Sequence, residues 1–207
     1  MLDTIVIATQ NPAKKARYGR ILKTLAKNVV NLKDLGVAEK PTESGETAEQ
    51  NAEIKARFYA DRVKFPVLAE DEALFLDYLS VNEQPGVHVR RVNGREEVND
   101  DELLAHWEGI VSKLPEGKRT GKWHIAYCLA VQGKPVATVA LDHPILFFSP
   151  PSKVRIPGWP MSSLEGPVRF GKPHTELTEE EHRMNDATAD EAIRGKLGEL
   201  MRSKYSN

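Results

Sequence analysis

The chain has 207 residues, 40% hydrophobic and 29% charged, which suits one sizeable domain, or one domain with a lobe, and allows a real core. Its formal net charge of −1 gives no basic field for duplex nucleic acid, although a local cationic cleft for a phosphorylated small molecule stays open. No run approaches membrane-spanning length, Met1-Leu2-Asp3 lacks the basic start of a signal peptide, and the single Cys128 sits among apolar residues and can form no internal disulfide. The expectation is a soluble cytoplasmic protein with no membrane partner.

Thr4-Ile5-Val6-Ile7-Ala8 is a β-branched apolar run of the kind expected for a central parallel strand, broken by Thr9-Gln10-Asn11-Pro12. A helix is predicted next over Ala13 to Leu25, with Asn11 as N-cap and Pro12 at its first position. Backbone N–H groups, the Asn11 amide and Lys14 would then meet where partial positive charge favours a phosphate. Lys15, Arg17 and Arg20 deepen that potential, but no Gly-rich phosphate loop is present, so a capped helix with a solvated basic face remains the alternative. Val29 to Leu32 reads as a weak strand, and the polar stretch from Leu35 to Thr47 as loop. Glu46 or Thr47 can cap a second helix from Ala48 to Lys64, which must end before Pro66.

Val67-Leu68-Ala69 then delivers three successive carboxylates, Glu70-Asp71-Glu72, before Ala73 and the apolar Leu74-Phe75-Leu76. Adjacent ionised acids repel and lose hydration near a core, so they need a cation, basic side chains or open water beside them. One reading is a solvated acidic turn. The other is a divalent-metal and general-base site at the end of a strand, since Mg²⁺ takes carboxylate oxygens and keeps positions for water and phosphate.

Three segments carry a resemblance to a known family, in that family's order. Thr9-Gln10-Asn11-Pro12-Ala13-Lys14 fits a Ser/Thr-x-Asn-x-x-Lys phosphate motif. Glu43-Ser44-Gly45-Glu46-Thr47, with Gln50-Asn51-Ala52-Glu53-Ile54-Lys55-Ala56, fits Glu-x-Gly-x-Thr followed by Glu-Asn-Ala-x-x-Lys-Ala. Ala69 to Leu74 stands where Ala-Asp-Asp-Ser-Gly-Leu is usual, Asp77 also matches, and Pro85-Gly86-Val87 with Arg91 and Gly94 resembles the next block. On these segments, which cover about the first half of the chain, it resembles the inosine triphosphate pyrophosphatase family, the non-standard purine nucleoside triphosphate (dITP/XTP) pyrophosphatases.

The resemblance implies an α/β fold, a mixed twisted sheet with flanking helices and a smaller β-rich lobe over roughly residues 120–170 of a single 1–207 domain, with the nucleotide in the cleft between. It implies Mg²⁺-dependent or Mn²⁺-dependent attack of water on the α-phosphorus of a nucleoside triphosphate, and a homodimer. Asp71 and Lys14 would be catalytic; Thr9, Asn11, Lys14, Lys55, Arg91 and Trp159 would bind substrate; Asp71, Glu70 and Gln50 would hold the metal.

Several positions depart from the family pattern. Gln50 replaces a metal-binding Glu, Glu70 an Asp, and Glu72 and Ala73 a Ser-Gly pair, while Arg17 occupies a position that is usually acidic. Glu49 or Glu72 could supply the charge that Gln50 lacks. Gly158-Trp159-Pro160-Met161-Ser162 keeps an aromatic residue but has Ser162 for an Asp, and Asp186-Ala187-Thr188 replaces the Ser-His-Arg that reads the purine carbonyl. An altered base preference is therefore expected, and a family member that has lost catalysis and binds nucleotide or a partner is the alternative. Beyond Gly94, a helix is predicted from Glu96 to Leu114, with Val98, Leu103, Leu104, Trp107, Ile110 and Val111 as its apolar stripe. Two strands, Trp123 to Val131 and Pro135 to Phe148, follow as a hairpin, and a closing helix covers Ala189 to Tyr205. His124, Asp142 and His143 lack ligand spacing and read as surface or strand-end groups.

Overall fold

The computed structural model describes residues 2–10, 12–95, 98–132, 134–156 and 159–205. Among the described residues, six strands form one mixed sheet in the order β2-β1-β3-β4-β5-β6, flanked by helices. The strands are β1 (Leu2–Ile7), β2 (Ala26–Asn31), β3 (Val67–Leu76), β4 (Thr120–Val131), β5 (Lys134–Phe147) and β6 (Glu165–Pro167). The helices are α1 (Pro12–Leu22), α2 (Ala48–Ala60), α3 (Asp100–Val111) and α4 (Glu179–Tyr205). β1 pairs parallel with both β2 and β3, and β5 pairs antiparallel with β6.

The chain forms two compact units. The first comprises Met1–Glu72, Ile125–Leu141 and Thr188–Asn207, and the second Ala73–His124 and Asp142–Ala187. Of the stretch read as a second lobe, residues 125–141 belong to the first unit, and the second unit begins at Ala73.

In the first unit the connections decide where side chains face. β2 and β3 lie on opposite sides of β1. Crossovers between parallel strands are right-handed, so α1, linking β1 to β2, and α2, leading from β2 to β3, must cover opposite faces of the sheet. On the α1 face, Tyr18, Ile21 and Leu22 pack with Ile5, Ile7, Leu68, Tyr127 and Leu129, and with Ile193, Leu197 and Met201 of α4. α2 buries Ala48, Ala52, Ala56 and Tyr59. Cys128 is fully buried in β4, where desolvation pushes its thiol up to about 11, as its packing role requires.

In the second unit, Leu74, Leu76, Val98, Leu103, Leu104, Trp107, Val111, Ile145 and Phe147 form a separate core. Asn99 caps α3: its side chain accepts from the Glu102 amide at 2.9 Å, and the Glu102 carboxylate accepts from the Asn99 amide at 3.3 Å. This cap sets the start of α3 at Asp100 instead of Glu96; Glu96 and Glu97 lie outside the described residues.

Other elements also differ from the sequence reading for physical reasons. α2 ends at Ala60, not Lys64, because turns through residues 61–65 return the chain so that the Pro66 carbonyl accepts from Val6 N at 2.9 Å. α4 begins at Glu179, not Ala189. Thr178 Oγ1 accepts from the Glu181 amide and Glu181 Oε2 from the Thr178 amide, a reciprocal cap ahead of a charged stretch with no apolar stripe to announce it. Finally, β3 runs unbroken through the acidic triplet. Glu70-Asp71-Glu72 is neither a turn nor a strand end.

Candidate active site

Because successive strand residues point to opposite faces, β3 deals its three carboxylates to two helices. Glu70 and Glu72 meet Lys14 of α1, the first in a close ion pair and the second at 3.4 Å. Asp71 meets Lys55 of α2 in a close ion pair, and Lys55 also reaches Glu43 at 3.3 Å. On each face one ammonium therefore bridges two carboxylates, which is how three adjacent acids coexist at the edge of a core.

The loop before α2 builds the Asp71 face. Thr47 caps the helix by accepting from the Gln50 amide at 3.3 Å. Gly45 lies so close to the first turn that a Cβ on it would stand 2.6 Å from Asn51 Oδ1 and 2.7 Å from Gln50 Cβ. That closeness lets the Gly45 amide donate to Asn51 Oδ1 at 2.8 Å, and the Asn51 side chain lowers the Asp71 pKa slightly against the desolvation that raises it. The Glu-x-Gly-x-Thr segment thus brings Glu43 to Lys55 and seats Gly45 on Asn51.

The electrostatics follow burial. Asp71, with a side chain only 11% exposed, has its pKa raised chiefly by desolvation, with Lys55 pulling it down and Glu43 pushing it up. Desolvation also raises Glu70, against the pull of Lys14. Burial alone would lower the Lys14 pKa, but Glu70 and Glu72 more than offset it, so Lys14 stays charged. Tyr127 is raised by burial and then by Glu70. Thr9, Lys14, Tyr18, Glu70 and Tyr127 line a cavity of about 10 Å³, room for one water and not for a phosphate.

The residues singled out from the sequence are therefore distributed as follows. Asp71 and Lys55 are together on the α2 face, and Lys14 and Glu70 together on the α1 face. The Thr9 carbonyl accepts from Leu32 N at 3.2 Å at the end of β1. Asn11 lies outside the described residues. Glu70, Asp71 and Gln50 are not brought together: Gln50 Oε1 accepts from Glu46 N at 2.7 Å, a local bond at the start of α2, and Glu70 faces α1. Arg91 and Trp159 belong to the second unit, Arg91 exposed and Trp159 48% exposed. Asp142 joins His124 Nδ1 at 2.6 Å and Lys122 at 2.5 Å in an exposed cluster of the second unit, and these two neighbours hold its carboxyl below the usual range. Among the described residues no group of three or more His, Cys, Asp or Glu side chains is assembled to hold a metal ion. Glu43 and Asn51 join the site beyond the sequence-predicted set; their place in the Glu-x-Gly-x-Thr and Asn-Ala motifs is the signal that points to them.

A strand whose carboxylates are paired with a lysine from each of two flanking helices, in a mixed α/β sheet, defines the chain's candidate site. The profile of the Ham1 family matches residues 5–141, and the chain belongs to that family. The dITP/XTP pyrophosphatase of Geobacillus kaustophilus is 35% identical over 138 residues, 67% of this chain and 66% of the relative. That of Bacillus subtilis is 30% identical over 142 residues, 67% of this chain and 69% of the relative. Another, from Thermoanaerobacter sp., is 39% identical over 109 residues, 51% and 54% of the two chains. The matched stretch thus spans between about half and about two thirds of these relatives. Among solved structures, a nucleoside-triphosphatase / dITP/XTP pyrophosphatase from Mycobacterium abscessus matches with TM-score 0.71 and 26% identity, covering 94% of this chain and 98% of that one. A HAM1 protein from Coxiella burnetii shares the fold with TM-score 0.75 at 24% identity, covering 96% and 100%. Family membership rests on the stretch that holds Lys14, Lys55 and the acidic triplet; Trp159 and residues 186–188 lie beyond it.

Proposed function

We propose that this chain is a nucleoside triphosphate pyrophosphohydrolase. Water attacks the α-phosphorus, the α–β anhydride bond breaks, and nucleoside monophosphate and pyrophosphate leave. The observation that carries this reading is the Asp71–Lys55–Glu43 cluster of a Ham1-family chain, in which a buried carboxylate is held against a lysine. The names of the relatives support the same reaction.

Asp71 takes the proton of the attacking water. Its pKa, raised by desolvation, makes it a stronger base than an ordinary carboxylate, and the Lys55 ammonium beside it favours the ionised form. Lys55 and Lys14 supply fixed positive charge for the phosphates, and positioned charge is the larger part of catalysis in phosphoryl transfer.

The donor set that fits Mg²⁺ is Asp71 with Glu43. They are two hard carboxylates already sharing one cationic charge, that of Lys55, and Mg²⁺ needs only one or two carboxylates beside water and substrate phosphate. Bound there, Mg²⁺ or Mn²⁺ would neutralise phosphate charge. Gln50 is engaged at the start of α2 and Glu70 faces Lys14, so neither joins that set. Base preference departs from that of the dITP/XTP enzymes, because Asp186-Ala187-Thr188 offers an oxo-purine no histidine or arginine.

The test is a panel of nucleoside triphosphates including ITP, dITP and XTP, with Mg²⁺ or Mn²⁺, scored for pyrophosphate. Stoichiometric monophosphate and pyrophosphate from at least one of them supports the reading. Absence of turnover across the panel contradicts it.

A further inference from the structure

Arg17 lies one turn beyond Lys14 on α1, at a position that is usually acidic in the family the sequence resembles, and α4 answers it. Asp190 is only 7% exposed, yet it carries a carboxylate. Its Oδ1 accepts from Arg17 Nε at 3.1 Å, and its Oδ2 stands 3.6 Å from Arg20. One turn further along α4, Arg194 Nε donates to the Ile21 carbonyl at 3.2 Å, satisfying a C-terminal carbonyl that α1 cannot pair internally. Ile193, Leu197 and Met201 pack against Tyr18, Ile21 and Leu22 between these polar contacts. Arg17 also feels the charge of Glu70, the same carboxylate that pairs with Lys14.

We infer that Asp190 is a positioning residue for the phosphate lysine: it holds Arg17 and Arg20, fixes α1 against α4, and so sets where the Lys14 ammonium stands. The function rests on the pyrophosphohydrolase reading above; the placement of Lys14 by Asp190 does not. A half-buried ion pair left with one member is costly, and a displacement of about 1 Å at a charged contact is enough to lower binding or rate by orders of magnitude.

The full-length chain carrying Asp190→Asn keeps the size of the side chain and removes its charge. The expected result is a rise of about tenfold or more in KM for the triphosphate with kcat changed less than about threefold, and an equal loss of affinity for inorganic tripolyphosphate measured by calorimetry. The reversed pair Arg17→Asp/Asp190→Arg is expected to recover most of both. A purely structural pair would lower the melting temperature of Asp190→Asn and leave KM and tripolyphosphate affinity at the wild-type values, which would overturn the inference, as would failure of the reversed pair to recover affinity when it is folded. If the wild-type chain hydrolyses no triphosphate, the proposed activity fails while tripolyphosphate binding still decides the role of Asp190; a wild-type chain that binds no tripolyphosphate overturns both.

Discussion

Glu70 and Asp71 are neighbours in β3, and they face opposite sides of the sheet, Glu70 toward Lys14 of α1 and Asp71 toward Lys55 of α2. Two adjacent carboxylates therefore belong to two separate charge clusters. Replacing one should leave the other largely in place, and the chemistry assigned to Asp71 should not pass to Glu70.

Asp71→Asn keeps the hydrogen-bonding shape and removes the base and the anionic donor. A loss of about 10²–10⁴-fold in kcat is expected, the usual contribution of a positioned general base. The melting temperature should fall modestly, because Lys55 keeps Glu43 as its one remaining carboxylate, so the loss in kcat is read on folded protein. Near-normal turnover in a pyrophosphate-release assay would remove Asp71 from the mechanism.

Gly45→Ala tests the loop that presents Glu43. The new Cβ would meet Asn51 Oδ1 at 2.6 Å and Asn51 N at 3.0 Å, and the latter is backbone that cannot swing away. A destabilisation of about 1–3 kcal/mol is expected from such overpacking, read from denaturant midpoints. A variant as stable as the wild type would mean that the loop does not rest on α2 as described.

Gln50→Glu distinguishes a metal ligand from a local support. With Oε1 accepting from Glu46 N at 2.7 Å in the first turn of α2, a carboxylate should keep that bond and gain about 0.3–1 kcal/mol from the helix N-terminus. The Mg²⁺ midpoint for activity should not move. A marked tightening of Mg²⁺ dependence would place residue 50 in the metal shell.

The start of α4 gives a pH dependence with a defined sign. Lys172 and the Thr178 amide hold the Glu181 carboxyl down to about 2. A depressed carboxyl contributes stability that is present above its unfolded value, about 4.3, and is lost as pH falls through the folded value. Glu181→Gln should therefore melt below wild type at neutral pH, and the gap should close as pH falls from about 5 toward 2. A gap that is constant across that range would exclude the Glu181 carboxylate as its source.

The parts of this fold that the sequence displayed were those where one periodicity ruled a whole element. Ile5, Val6 and Ile7 are uniformly apolar because β1 is covered on both faces, and Leu103, Leu104, Trp107 and Val111 repeat at helical spacing because one side of α3 is buried. β3 hid its continuity, since its alternation passes through charges whose neutralising partners, Lys14 and Lys55, lie far away in the chain. The first turns of α4 hid for the opposite reason: they bury too little for a stripe to form, and their start is set by Thr178 and Glu181 alone. Glu43 could be found only through its motif, because what makes it part of the site is the close approach of Gly45 to Asn51.

Hydrolysis in ¹⁸O-labelled water reports which phosphorus the water attacks. Attack at the α-phosphorus, as proposed, places the label in the nucleoside monophosphate and leaves pyrophosphate unlabelled. Label in pyrophosphate, or labelled orthophosphate released with a nucleoside diphosphate, would contradict it.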